Sequence, residues 1–171
     1  IDDEAPNGIV IVTIDKAGDE IIRIMNESQL PYIHDPKAPR FLLMDKQGKF
    51  ALGIGGYVRA TGEYDFGGIV DDIDFVPANI PSSSKIKNQF QMDASTATIF
   101  LKLVGHTRLL GDFTVYTAGN FRGGDKTFQL RNAYMSFRNI TVGYTYGGFM
   151  DLGALPSTID FQGPNGATFY R

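Results

Sequence analysis

From residue 49 to 64 the chain alternates with a period of two. Phe50, Leu52, Ile54, Gly56, Val58 and Ala60 share one parity, and Gly53, Gly55, Tyr57, Arg59, Thr61 and Glu63 share the other. Successive strand side chains point to opposite faces, so this stretch predicts a strand with one small apolar side and one wet, charged side. It is more than twice the usual length of a strand in a soluble sandwich, about five or six residues. Four further segments repeat the design: 85–104, 111–122, 126–138 and 140–150. In 111–122, Phe113, Val115, Thr117 and Phe121 oppose Thr114, Tyr116, Ala118, Asn120 and Arg122. In 126–138, Phe128, Leu130 and Tyr134 oppose Gln129, Arg131 and Ala133, and in 140–150, Val142, Tyr144 and Tyr146 oppose Gly143, Thr145 and Gly147. The segment 85–104 changes parity, since Phe90 and Met92 lie on one phase and Ile99, Leu101 and Leu103 on the other. A bulge near 94–97, or burial against a neighbouring subunit, would each account for the switch.

Long strands that are apolar outward and polar inward suit a membrane-spanning β-barrel, because lipid tolerates no unpaired backbone and no open edge. The fold expected is therefore all-β, an antiparallel transmembrane barrel of porin type. Connections 67–84, 123–125 and 151–171 fall at one end and 105–110 and 138–139 at the other. That is the long-loop, short-turn asymmetry of outer-membrane barrels. Residues 1–48 stand apart as an N-terminal arm. Two short apolar runs, 8–15 and 20–25, flank residues 16–19 and predict a hairpin. A linker stiffened by Pro31, Pro36 and Pro39 follows, then a short run at 41–44 and a turn at Gln47-Gly48.

Composition narrows the classes. The 171 residues are 43% hydrophobic and 20% charged, and they contain no run of about twenty apolar residues that would span a membrane as a helix. Twenty glycines with 13 Phe and 8 Tyr favour strands. The absence of Cys removes disulfides and thiolate metal sites, and a net charge of -3 argues against nucleic acid as a partner. No catalytic motif is present. His34 and His106 fall in a linker and a turn and read as solvated. The run Gly53-Ile54-Gly55-Gly56 sits mid-strand with no helix after it, so it is not a phosphate loop. Asp71, Asp72 and Asp74 are either a weak calcium site or a solvated loop, and solvation is the simpler reading. No cofactor is expected.

The segments Asp93-Ala94-Ser95-Thr96, Leu130-Arg131-Asn132-Ala133-Tyr134, Val142-Gly143-Tyr144-Thr145 and Phe149-Met150-Asp151-Leu152, with the tail 154–166, resemble the DcaP-like trimeric outer-membrane porins over residues 49–171. The resemblance implies a homotrimer in the outer membrane of a Gram-negative bacterium, in contact with lipid and lipopolysaccharide, passing small hydrophilic and often anionic solutes. Porin barrels need about sixteen to eighteen strands. Five long ones and an end in mid-loop predict that the chain supplies only the N-terminal part of a longer protein. With no Trp, any interfacial girdle must use Tyr and Phe.

On this reading Tyr57, Arg59, Glu63, Lys102, Arg122 and Arg131 line the pore. Their cations either pair with neighbouring acids such as Glu63 or form a ladder that attracts anions. The segment 151–171, carrying Leu155, Pro156, Asp160, Phe161, Gly163 and Pro164, is expected to fold inward as a constriction loop. The competing class is a soluble all-β carbohydrate- or ligand-binding domain. There the apolar face would meet a second sheet instead of lipid.

Overall fold

The structure is a computed structural model and describes residues 8–27, 41–66 and 88–145. Strands dominate: β1 (Ile9–Thr13), β2 (Phe41–Asp45), β3 (Phe50–Tyr57), β4 (Thr61–Phe66), β5 (Asn88–Asp93), β6 (Thr98–Thr107), β7 (Gly111–Asn120), β8 (Gln129–Phe137) and β9 (Ile140–Tyr144). One helix, α1 (Asp19–Asn26), accompanies them. Seven strands form an antiparallel sheet in the order β1-β2-β3-β6-β7-β8-β9, and β4 pairs with β5 separately. Among the described residues the fold is thus antiparallel all-β with a single α-helix, and the strands of the larger sheet leave it open with β1 and β9 at its edges.

The apparent jump from β3 to β6 has a local cause. Tyr57 pairs with Thr98, and pairing resumes at Thr61 and Asp93, so the β4–β5 hairpin continues the β3–β6 ladder beyond a break. The uninterrupted strand expected over 49–64 is therefore two strands, parted at 58–60. The parity switch in 85–104 is a turn at 94–97. Ala97 N–H bonds to the Ala94 carbonyl at 3.0 Å, and the Asp93 carboxylate accepts from Ser95 N–H at 2.8 Å and from the Ser95 hydroxyl at 2.5 Å.

The N-terminal arm departs from the predicted hairpin. β1 pairs with β2, not with residues 20–25, which are helical. Ala17, Ile21, Ile24 and Met25 recur at i, i+4, i+7 and i+8, and all four are buried. Asp19 and Glu20 sit in the first turn, where the helix dipole favours acids. The apolar stripe packs on Leu42, Ala51 and Val104 of the sheet, with Val12, Ile14 and Met44 at the margin. Each fully buried Ile in this cluster contributes roughly 1.5–3 kcal/mol.

β8 also corrects an expectation. Ala118 pairs with Asn132 but Gly119 pairs with Leu130, so Arg131 is the extra residue of a bulge. Past it the parity inverts: Tyr134 lies opposite Tyr116, and Ala133 opposite Thr117. A strict alternation put Leu130 and Tyr134 together; the bulge separates them.

Three short connections, 46–49, 108–110 and 138–139, lie at one end of the sheet. Their backbone turns through positive φ at Gly48 (68°), Gly111 (69°) and Arg138 (50°). The β7–β8 connection lies at the other end.

Candidate functional site

Register sorts the seven-stranded sheet into two faces. On one, Ile11, Leu43, Leu52, Leu103, Val115, Met135 and Val142 stand in a row that crosses every strand. Flanking rows are Phe50, Gly105, Phe113, Phe137 and Ile140 on one side, and Ile54, Leu101, Thr117, Ala133 and Tyr144 on the other. A fourth holds Gly56, Ile99, Gly119 and Leu130. From β3 to β9 Thr117 is the single polar side chain among these rows apart from the Tyr144 hydroxyl, whereas on β1 and β2 the same face carries Thr13 and Asp45. Many of their members are exposed, Ile11 by 73% and Val142 by 62%. The β4–β5 hairpin extends the character with exposed Tyr64, Phe66, Phe90 and Met92.

The opposite face is mixed. Below α1 it is apolar. Beyond α1 it carries Lys102, Tyr116 and Tyr134 in one row, Phe100, Ala118 and Asn132 in the next, then Tyr57, Thr98, Asn120 and Gln129. Phe100 stacks on Tyr116 at 6.0 Å between ring centroids, and Tyr116 meets Tyr134 at 5.4 Å. Thr114, Asn120 and Asn132 each hold a buried side-chain polar atom with no hydrogen-bond partner on this side. A dry interior penalises each such atom by about 1–3 kcal/mol.

Of the residues expected to line a pore, Tyr57 and Lys102 stand on this face and the others lie in breaks, a bulge or the β4–β5 hairpin. Lys102 is on it but fully buried, and its ammonium donates to the Glu27 carbonyl at the C-terminus of α1 (3.2 Å), where the helix dipole favours a cation. It is therefore not an open wall residue, which corrects that expectation. Tyr57 is half exposed at the end of β3. Arg59 lies in the break between β3 and β4, half-buried, and Glu63 on β4 accepts from the Gln91 amide at 3.1 Å. Arg122 follows β7, its guanidinium 3.5 Å from the Ser95 hydroxyl. Arg131 sits at the bulge. The cations do not form one row: Lys102 pairs with Tyr116, and Arg122 lies six residues further, about 20 Å along the strand. The expected constriction residues Leu155, Pro156, Asp160, Phe161, Gly163 and Pro164, the acids Asp71, Asp72 and Asp74, and His34 lie outside the described residues.

Arg122 does border a cleft of about 540 Å³, with Gln89, Gln91, Asp93, Ser95 and Lys126 among its walls. Lys126 pairs with Asp93 at 2.7 Å, and the Phe121 N–H bonds to the Ser95 carbonyl at 2.9 Å, tying the 94–97 turn to the end of β7. The cleft offers amide, hydroxyl and guanidinium groups to a hydrogen-bonding solute. Sequence reading found Arg122 and a parity switch near 94–97, but neither Lys126 nor the hydrogen-bonded Asp93–Ser95 turn that causes the switch.

A second polar group was also missed. At the short-turn end, His106 lies in β6, not in a turn, and its Nδ1 is 2.7 Å from Asp112 Oδ1 and 3.5 Å from Glu20 Oε1. Arg23 of α1 reaches the other Asp112 oxygen at 2.5 Å and Glu27 at 2.9 Å. The hydrogen bond that Arg23 donates to Asp112 holds its guanidinium pKa above its ordinary value, with Glu27 adding to it. Glu20, His106 and Asp112 bring their ligand atoms within 4.8 Å of one another, a donor set metals accept. Arg23, however, already supplies the positive charge there. The group acts as an ionic clasp between helix and sheet. Its partners lie 89 residues apart, beyond any local sequence signal.

Comparison of the chain with protein-family models, with curated proteins and with solved structures found no match.

Proposed function

We propose that this chain forms part of the wall of an outer-membrane diffusion channel of porin type, passing small hydrophilic, anionic solutes without chemical change. The observation that carries the reading is the apolar face: one row crosses every strand, three more run from β3 toward β8 or β9, Thr13 and Asp45 are its polar positions on β1 and β2, and among the described residues no second sheet covers it. In water such a surface would invite association. Against lipid tails it is at home.

The dimensions fit. β6 and β7 have ten residues each. At about 3.3 Å per residue they extend roughly 33 Å, and a tilt near 40° projects this to about 25 Å, the height of the apolar band on such barrels. Aromatic pairs stand at both ends of the band. Phe50 and Phe113 meet at 6.0 Å near the short turns, and Phe121 and Phe128 at 5.8 Å near the opposite end. They are suited to the interfacial girdle that Trp and Tyr usually supply. The proposal requires the edges at β1 and β9 to be closed by strands beyond those described, since lipid leaves no edge unpaired. No described helix is long and apolar enough to cross a membrane, which says nothing of a barrel. Assembly as a homotrimer in contact with lipopolysaccharide belongs to the same proposal. Arg122, Arg59 and Arg131 would supply the attraction for anions, in a lumen where rings of cationic side chains favour their passage.

Fractionation of the native protein, followed by reconstitution in planar bilayers, tests this. Recovery with outer membranes and discrete anion-selective conductance steps are expected. Full recovery in the aqueous fraction without detergent, with no conductance, would replace the channel by the soluble ligand-binding alternative, for which the 540 Å³ cleft would be the site.

A further inference from the structure

We propose that α1 is an internal constriction, a helix seated inside the bore that narrows the channel from its short-turn mouth. This rests on the channel reading, which makes the mixed face the lumen wall. Ile21, Ile24 and Met25 are buried against Leu42, Ala51 and Val104 on that face, so the helix lies on the lumen side and not on the lipid side.

Its direction follows from its contacts. Glu20 and Arg23 reach His106 and Asp112, beside the 108–110 turn. Glu27, seven residues after Glu20, meets Lys102, four residues deeper along β6. Seven residues of helix rise about 10 Å, and four of strand about 13 Å, so α1 runs inward along the wall. A helix with side chains is about 11 Å across. Sixteen tilted strands about 4.8 Å apart enclose a ring roughly 32 Å wide, leaving on the order of 22 Å between wall side chains. The helix therefore occupies about a quarter of the cross-section at its depth. It also sets the exposed Arg23 and Glu27 against the passing solute.

The seat has two parts of different kinds. The apolar stripe is fully buried, whereas the Arg23–Asp112 and His106–Asp112 contacts are exposed at the mouth, where solvent ions screen them. The polar clasp is thus the part that a change at the mouth can weaken.

The test uses the full-length protein in planar bilayers, comparing wild type, Arg23→Asp, Asp112→Arg, their combination, and Ile24→Asp. Arg23→Asp sets like charges together and should raise single-channel conductance by about a third, Ile24→Asp should do the same, and the charge swap should restore the wild-type value. These residues contribute no Cys, so in a full-length background with any other Cys replaced, Val104→Cys gives a unique reporter beneath α1. A charged thiol reagent should label it at least tenfold faster once Arg23→Asp is added. Wild-type channels whose conductance neither Arg23→Asp nor Ile24→Asp changes would overturn the constriction alone. Rapid labelling of Val104→Cys in the otherwise wild-type protein would do the same. Absence of any wild-type channel would overturn the channel reading beneath it.

Discussion

Val142→Arg places a cation on the apolar row that joins Ile11, Leu43, Leu52, Leu103, Val115 and Met135. Rows on one face are two residues apart, about 6.7 Å along a strand and about 5 Å in depth at a 40° tilt. Between the Phe113 and Phe121 ends of the band the centre falls on the Thr117–Tyr144 row. Val142, one row away, therefore lies about 5 Å from the midplane of a bilayer the sheet would span. A lipid-facing Arg there costs about 2–4 kcal/mol. If the face met water instead, a position already 62% exposed would tolerate the change within about 0.5 kcal/mol. Urea unfolding of the full-length protein in liposomes measures the difference. With a slope near 2 kcal/mol/M the midpoint should fall by about 1–2 M. Leu109→Arg, in the 108–110 turn outside the band, should leave it within about 0.3 M. A Val142→Arg midpoint indistinguishable from wild type would refute the assignment of this face to lipid.

Other outcomes follow from packing and charge. Ile24→Ala empties a fully buried position between α1 and the sheet and should cost about 2–5 kcal/mol by the same unfolding assay. At Gly105 an added methyl would lie 2.7 Å from the Phe50 ring, 2.8 Å from the Lys49 carbonyl and 2.9 Å from the Phe113 ring. Gly105→Ala should therefore destabilise by about 1–3 kcal/mol and disturb the near-ultraviolet aromatic circular dichroism. Arg122→Glu reverses a charge beside Ser95 and Lys126. Reversal potentials in a salt gradient should move toward cation preference by several-fold in permeability ratio, and an unmoved potential would leave Arg122 a structural residue.

Alternation alone decided which side of β3, β6, β7 and β9 is apolar, because strand side chains obey a period of two regardless of what surrounds them. It also located the discontinuity at 94–97, since two incompatible parities cannot share one straight strand. Local pattern failed where a second period fits the same few residues. Ile21, Ile22, Ile24 and Met25 satisfy a short apolar strand as well as a helix face, and the spacing back to Ala17 is the clue that favours the helix. It failed too at the Arg131 bulge, whose single extra residue inverts every parity after it and is chosen by pairing with β7. The remaining decisions belong to contacts distant in sequence. Lys102 reads as a wall cation until α1 covers it and gives its ammonium the Glu27 carbonyl. Asp112 has no sequence neighbour to mark it, yet it gathers His106 from the same hairpin and Arg23 from 89 residues away. Period and polarity are properties of a segment and can be read from it. Which segment lies across which face is set by burying the α1 stripe on Leu42, Ala51 and Val104, and only the folded chain brings those residues together.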